Sequence, residues 1–202
     1  MIEFLKSVDL KLFLLINGAH SHFLDTIMWL ASDRFFWIPL YLFFLWVLYR
    51  SEKKRFWLTL IFVVLIILLS DQFCNLIKNS VMRLRPSNDP SVKDMVHLVD
   101  GYAGGTFGFY SAHASNSIAL ATFIYLTIKN RQVYLLPILA IYTSLICYSR
   151  IYLGVHYPSD VFTGIITGAA IGILASLTYR QAAKRIIKTV GNNGNKKPLP
   201  KA

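Results

Sequence analysis

The stretch FWLTLIFVVLIILLSDQFCNLI, residues 56–77, is apolar along almost its whole length and decides the class of fold. A helix rises about 1.5 Å per residue, so this stretch is long enough to cross a hydrocarbon core of about 30 Å. The rest of the chain is similar, because 55% of its 202 residues are hydrophobic and its mean hydropathy is +0.49. A soluble domain of this size has too little interior for so much apolar surface. The sequence therefore predicts an integral membrane protein that crosses the bilayer several times.

Four further segments are apolar enough to span a membrane. The five predicted spans are residues 35–49, 56–77, 112–128, 133–148 and 161–179. Residues 1–34 mix apolar and charged positions, which leaves two interpretations open: a sixth span, or an interfacial helix followed by a re-entrant one. We therefore predict an all-α transmembrane bundle of five to six spans.

The chain is predicted to form one domain with three parts. Residues 1–34 hold the N-terminal helices, and residues 35–179 form the transmembrane core. Residues 180–202 are predicted to form a basic cytoplasmic tail that is disordered, because it ends in GNNGNKKPLPKA, a composition typical of disordered segments.

The distribution of Lys and Arg predicts the orientation of the bundle. The formal net charge is +11, which can indicate nucleic-acid binding, but these cations cluster at span ends and in the tail. That pattern is typical of membrane topology and contact with anionic lipid headgroups, so no nucleic-acid partner is expected. The cations of residues 50–55, 129–131 and 180–201 all fall on one side, which the positive-inside rule makes cytoplasmic.

Three short motifs place ionisable groups at the opposite ends of the spans. They are Lys78-x6-Arg85-Pro86, Ser111-Ala112-His113 and Ser149-Arg150-x5-His156-x3-Asp160. Charge beside a membrane core is costly, so ionisable groups kept there are a functional-site hypothesis by default. The set contains three cations, two imidazoles and one carboxylate. Such an inventory suits the binding of a phosphate dianion and its transfer to a nucleophile.

The spacing within the motifs supports this chemistry. His156 and Asp160 are one helical turn apart, so the carboxylate can hold one imidazole nitrogen and leave the other as a nucleophile or base. Ser111 is a predicted N-cap, and the free N–H groups after it form an anion site beside His113. Taken singly, each motif also fits a simpler role: helix capping, an interfacial histidine, or cations that snorkel to the membrane surface. Arg83 is interpreted as a surface residue outside the set.

Two other patterns each have two interpretations. Asp71, Asn75 and Lys78 share one face of their span, so Asp71 either bonds to a neighbouring span or belongs to the site. The stripe GxxxGxxxG at residues 164–172 predicts close helix packing, within the chain or between two copies of it. The two cysteines, Cys74 and Cys147, are interpreted as small buried hydrophobes.

The three motifs together resemble the signature motifs of the type-2 phosphatidic acid phosphatase superfamily, which also includes vanadium haloperoxidases and glucose-6-phosphatases. The resemblance covers about residues 56–179, with the motifs in the same order and at the same spacings. The middle motif departs from the family pattern, Pro-Ser-Gly-His, because this chain has Tyr110-Ser111-Ala112-His113. Compared with the glycine of the family pattern, Ala112 keeps the backbone N–H but allows fewer backbone conformations.

The resemblance implies a role for each motif residue. His156 would attack phosphorus and become a phosphohistidine, Asp160 would orient it, and His113 would protonate the leaving oxygen. The groups implied to bind the substrate phosphate are Lys78, Arg85, Ser111, Ala112 and Arg150. The family implies no cofactor and no metal, and the sequence offers no carboxylate cluster that would hold one.

The resemblance also implies a substrate class and a place in the cell. The substrate would be a lipid phosphate in the bilayer: undecaprenyl diphosphate and lipid A phosphate come first, then phosphatidylglycerol phosphate and phosphatidate. The protein would lie in a bacterial inner membrane, with its active site facing the periplasm and its C-terminus in the cytoplasm. Alternatives are phosphotransfer between lipids and non-catalytic binding or transport of a phospholipid. Vanadate-dependent oxidation does not suit so small a membrane bundle. The oligomeric state is left open.

Overall fold

The computed structural model describes residues 2–128 and 133–194. These residues form seven α-helices: α1 (Ile2–Gly18), α2 (His22–Ser32), α3 (Ile38–Glu52), α4 (Phe56–Val81), α5 (Ala112–Thr127), α6 (Leu135–Tyr152) and α7 (Pro158–Gly194). Within the same residues, β-structure is limited to an isolated bridge between Leu84 and Phe107. The all-α membrane fold is therefore confirmed.

Three helical segments of the described chain are long and apolar enough to cross a membrane. They are Ile38–Val81, Leu135–Tyr152 and Pro158–Ile186. The first contains both α3 and α4, which are separated by the short 3-10 turn Lys53–Arg55. Helix α5 has 16 residues and is shorter than these segments. The total of five to six spans remains a prediction.

The glycine stripe of α7 packs against α5 of the same chain. A side chain on Gly164 would bring its Cβ within 2.7 Å of the carbonyl oxygen of Ser111. A Cβ on Gly172 would likewise lie 2.6 Å from the carbonyl oxygen of Ala119. The two backbones approach this closely because glycine has no side chain, which confirms packing within the chain.

A polar cluster joins α3, α4 and α7 at the end of the bundle that carries most of the cations. The Tyr179 hydroxyl donates to Glu52 at 2.6 Å and accepts from Thr59 at 3.0 Å. Arg55 pairs with the same buried carboxylate of Glu52 at 3.1 Å. Arg180 donates to the carbonyl of Leu126, near the end of α5. Residues 50–55 and the region around 180 therefore meet at one end, while Lys129 and Arg131 lie outside the described residues.

Helix α1 lies across the opposite end, where α6 ends and α7 begins. Its buried residues Asp9, Phe13 and Asn17 recur every fourth position, so one face of α1 is buried against the bundle. The Asn17 amide donates to the carbonyl oxygens of Tyr152 at 2.7 Å and His97 at 2.9 Å. Neither α1 nor α2 is among the three spanning segments found in the described chain.

The tail departs from the expected disorder, because α7 continues past Arg180 to Gly194. The sequence after Arg180 contains strong helix formers such as Gln181 and Ala182. Ala183 is buried in a cluster with Ile66 and Phe123, so packing also stabilises the helix beyond the predicted boundary. Residues 195–202, the end of the predicted tail, lie outside the described residues.

Candidate active site

The last motif forms the link between α6 and the first turn of α7. His156 is 1% exposed, and Asp160 is fully buried. Oδ2 of Asp160 accepts a hydrogen bond from the Tyr157 N–H at 3.0 Å, which caps the start of α7. The same oxygen lies 3.6 Å from Nδ1 of His156, beyond an ordinary hydrogen bond. The structure therefore brings the pair together, with the carboxylate also engaged in helix capping.

The surroundings of His156 favour its neutral form. Burial, followed by the positive charges of Arg150, Arg85 and Lys78, holds the pKa of His156 well below its ordinary range. A neutral imidazole has a lone pair free to attack an electrophile. These charges belong to the first and third motifs, so cations of both motifs act on the same histidine.

Arg85 lies in the long loop after α4, and its guanidinium is nearly buried. Its Nε donates to the Phe107 carbonyl at 3.1 Å, whereas Nη1 is buried with no partner among the described residues. Gly104, at φ +67°, approaches so closely that a Cβ there would lie 3.1 Å from Cζ of Arg85. The loop glycines thus make room for this guanidinium. Burial and then the charge of Arg150 lower the pKa of Arg85, as expected for cations gathered around an anion site.

Arg150, in the last turn of α6, is 1% exposed. Its Nη1 donates to the Ser32 hydroxyl, and Nη2 lies 3.5 Å from the Tyr102 hydroxyl. Burial raises the pKa of Tyr102, but the charges of Arg150, Arg85 and Lys78 outweigh it and lower that pKa overall. Ser32 and Tyr102 are site residues that the sequence analysis missed. Lys78 itself is half-buried near the end of α4.

The middle motif begins helix α5, as its sequence predicts. The hydroxyl of Ser111 accepts from the Ala114 N–H at 3.5 Å, and its own proton remains available to donate. The Ser111 N–H donates to the carbonyl of Asp160 at 3.0 Å, which ties the start of α5 to the first turn of α7. Ala112 is half-buried, while His113 is exposed in the first turn. Two helix N-termini therefore meet at the site.

Arg83 is not the surface residue that was expected. Its Nη1 donates to Oδ1 of Asp160 at 2.8 Å and to the Ser159 hydroxyl at 2.7 Å, and its Nη2 donates to Asp9 at 2.7 Å. The guanidinium also lies over the Tyr157 ring, 4.2 Å from the centroid. Arg83 is drawn inward because it is the counter-charge of two carboxylates. Its place two residues before Arg85, on the same extended approach to Pro86, is the one local signal that could have indicated it.

Two further polar residues lie inside the helices. Asp71 of α4 accepts from the amide of Asn116 in α5 at 2.8 Å, so the predicted bond to a neighbouring helix is confirmed. Ser149 donates to the carbonyl of Ile146 in its own helix at 2.7 Å. Across residues 2–128 and 133–194, no group of three or more His, Cys, Asp or Glu is arranged to hold a metal ion.

A helical membrane bundle with two histidines and three cations gathered at one end has the features of an integral membrane phosphatase. Residues 56–185 match the PAP2 superfamily, and the chain belongs to this family. The match covers all three motifs, so the resemblance drawn from them is confirmed.

Similar proteins are lipid phosphatases. The chain is 38% identical to the lipid A 4′-phosphatase of Bacteroides thetaiotaomicron over 177 residues, which are 86% of this chain and 78% of that protein. It is 33% identical to the lipid A 4′-phosphatase of Porphyromonas gingivalis, over 91% of this chain and 78% of that protein. The crystal structure of Aquifex aeolicus LpxE superposes with a TM-score of 0.64 at 28% identity, covering 82% of this chain and 93% of that one. The protein is therefore a membrane lipid phosphatase.

Proposed function

We propose that this protein removes a phosphate group from a lipid A-type glycolipid at the periplasmic face of a bacterial inner membrane. One observation carries the chemistry: His156 is buried, its Nδ1 lies 3.6 Å from the Asp160 carboxylate, and the charges of Arg150, Arg85 and Lys78 act with burial to hold its pKa low. Support for the lipid comes from the two lipid A 4′-phosphatases, whose similarity covers most of the chain. Undecaprenyl diphosphate, phosphatidylglycerol phosphate and phosphatidate are the alternative substrates.

His156 is the proposed nucleophile. Its unprotonated Nε2 forms a bond to phosphorus while the bond from phosphorus to the lipid oxygen breaks, which gives a phosphohistidine. His113 donates a proton to that oxygen, so the lipid leaves as a neutral hydroxyl compound. The same imidazole then takes a proton from water, whose oxygen attacks phosphorus. This second step releases inorganic phosphate and restores His156.

The cations stabilise the charge that is shared by the equatorial oxygens of the transferring group. Arg85 Nη1 and Arg150 Nε are buried donors without a partner among the described residues, so both are free to bind phosphate. Lys78 adds a point charge, and the Ser111 hydroxyl and the N–H of Ala112 add donors at the start of α5. Asp160, 3.6 Å from Nδ1, stabilises the positive charge that develops on His156.

The proposed orientation follows from the two ends of the bundle. The cation-rich end, around the Glu52–Tyr179 contact, would face the cytoplasm together with the C-terminus. The site would then face the periplasm, at headgroup depth. Helix α1, which lies across this end, would be an interfacial helix, and residues 35–179 would form the spanning core of the catalytic unit.

The test is phosphate release by purified full-length protein in detergent, with EDTA present. The panel holds lipid A, undecaprenyl diphosphate, phosphatidylglycerol phosphate and phosphatidate. We expect release from lipid A, reduced by at least about a thousandfold in His156→Ala. A matched control is His22→Ala, because His22 is exposed on α2 and belongs to none of the three motifs. Vanadate, which mimics the transition state, should inhibit.

Each alternative gives a different result in this assay. Release from another lipid but not from lipid A would overturn the substrate assignment and keep the chemistry. Appearance of the phosphate on a second lipid would indicate a phosphotransferase. Full activity in His156→Ala, or lipid binding with no product, would overturn the phosphohistidine mechanism or favour the binding and transport alternative.

A further inference from the structure

Three polar residues lie on α4 and α5 on the interior side of the site: Asp71 and Asn116, which are hydrogen-bonded to each other, and Asn75, which is exposed on α4. We name them the polar strip. Asn75 and Asp71 precede Lys78 by three and seven residues, so Asp71 lies about 10 Å from Lys78 along α4. Asn116 follows His113 by one turn of α5. The strip therefore begins beside two site residues and leads toward the middle of the bundle.

The strip holds hydrogen-bonding capacity that the protein does not use. The Asn116 amide donates to Oδ1 of Asp71 at 2.8 Å, but Oδ1 of Asn116 is buried without a partner in the described chain. Asp71 is half-buried, and Asn75 is exposed on the outer surface of α4. Apolar side chains flank them, such as Leu69 at 61% and Leu76 at 62% exposure. Polar groups with free acceptors are costly at this depth, so a ligand that satisfies them would be favoured.

The contact between α4 and α5 does not depend on the bond from Asn116 to Asp71 alone. The same pair of helices has an internal polar contact, in which the hydroxyls of Ser70 and Ser115 lie 2.8 Å apart and are fully buried. That contact, together with the apolar interface, already joins α4 to α5. The polar strip differs from this contact. It contains one hydrogen bond between the helices, from Asn116 to Asp71, but Asp71 is only half-buried and Asn75 is exposed.

We propose that the polar strip binds hydroxyl or amide N–H groups of a substrate whose polar part continues below the phosphate, as in a glycolipid. This inference rests on the proposed function. It names the hydrogen-bond donors of the substrate that the protein would recognise. The second carboxylate oxygen of the half-buried Asp71 is an unused acceptor, so it requires a donor on the ligand. A sugar headgroup with amide-linked or hydroxylated acyl chains supplies O–H and N–H donors at that depth. Phosphatidate has only ester acceptors there, and a prenyl diphosphate has only hydrocarbon.

The sharpest variant is Asp71→Asn. It keeps an oxygen for the Asn116 amide but replaces the second carboxylate oxygen with an N–H donor, so the unused acceptor is lost. In full-length protein that also carries His156→Ala, to prevent turnover, binding of lipid A should weaken about fivefold to tenfold. Binding of phosphatidate should change by less than about twofold. Asn75→Leu gives the same comparison at an exposed position, should Asp71→Asn fail to fold.

Ser70→Ala is the matched control, because it removes a hydrogen bond of the same helix pair on the internal side. It should leave the ratio of the two lipid affinities unchanged. Equal weakening of both lipids, or no change in either, in both strip variants would overturn the inference. Phosphate release by protein with His156 intact tests the proposed function separately. If the protein releases no phosphate but Asp71→Asn still lowers its selectivity for lipid A, the polar strip is supported and the proposed phosphatase activity is contradicted.

Discussion

Nη1 of Arg83 lies 2.8 Å from Oδ1 of Asp160, and the other oxygen of that carboxylate lies 3.6 Å from Nδ1 of His156. Asp160 is fully buried, so it needs a counter-charge to remain ionised beside the imidazole. Arg83 provides that charge from the partly exposed side of the site. Its Nη1 bonds Oδ1, and the Tyr157 N–H bonds Oδ2, so the two hydrogen bonds together restrain the orientation of the carboxylate. A residue outside the three motifs therefore helps to orient the proposed nucleophile.

Replacing Arg83 with Gln should lower kcat about tenfold to hundredfold, because a carboxylate without its counter-charge orients His156 less well. KM should change by less than about threefold, since Arg83 is not among the proposed phosphate-binding groups. Steady-state kinetics with lipid A measure both constants. Arg34→Gln is the control, because Arg34 is exposed and lies over the Phe35 ring. A rise in KM with unchanged kcat would place Arg83 in substrate binding instead.

Asp9→Asn tests whether α1 supports the site. Asp9 accepts from the Ser159 N–H at 2.8 Å, from the Ser159 hydroxyl at 2.5 Å and from Arg83 at 2.7 Å. Asparagine keeps one acceptor but loses the charge that pairs with Arg83. The free energy of unfolding should fall by about 1–2 kcal/mol, with a smaller loss of kcat than in Arg83→Gln. Thermal unfolding in detergent measures the first effect. Unchanged unfolding and kinetics would mean that α1 is only peripheral.

The site residues of the three motifs could be predicted from the sequence. The residues of each motif lie close together along the chain, and their spacing matches one helical turn or one helix end. The close packing of the glycine stripe could be predicted equally well, since glycines four residues apart lie on one face of a helix. Asp9 and Tyr102 were missed for a physical reason: each reaches the site from a segment remote in sequence from the group that it contacts. Arg83 lies between the named residues of the first motif, but its partners Asp9 and Asp160 are 74 and 77 residues away. The contact from Asp9 to Ser159 spans 150 residues, and no periodic pattern encodes it. The helical tail after Arg180 was missed because composition indicated disorder while packing of Ala183 stabilises the helix.

The low pKa of His156 predicts how activity depends on pH. Burial and then the charges of Arg150, Arg85 and Lys78 keep the imidazole unprotonated below its ordinary pKa of about 6.5. The acid limb of kcat/KM, which reports the free enzyme, should therefore lie below about pH 6.5. A limb near pH 6.5 would show that His156 titrates as an exposed histidine.

The same pKa shift affects stability, with a definite sign. The folded-state pKa lies below the unfolded one, so unfolding takes up a proton at acid pH. The contribution of His156 to stability is complete above about pH 6.5 and is lost as the pH falls from there toward the folded-state pKa. Thermal unfolding of the wild type and of His156→Gln, compared from pH 8 to pH 5, should show a steeper loss in the wild type. Parallel curves would contradict the assignment.

Gly168→Ala tests the contact that sets the distance between α5 and α7. A Cβ on Gly168 would lie 3.0 Å from Cα of Ser115 and still closer to its carbonyl oxygen, so the helices must separate. Overpacking of this kind costs about 1–3 kcal/mol. Because Ser111 and Asp160 join the same two helices beside the site, the separation should also lower kcat. Gly18→Ala is the control, since a Cβ there meets nothing within 4 Å. Equal unfolding temperatures for the two variants would show that α5 and α7 can accommodate the added methyl group.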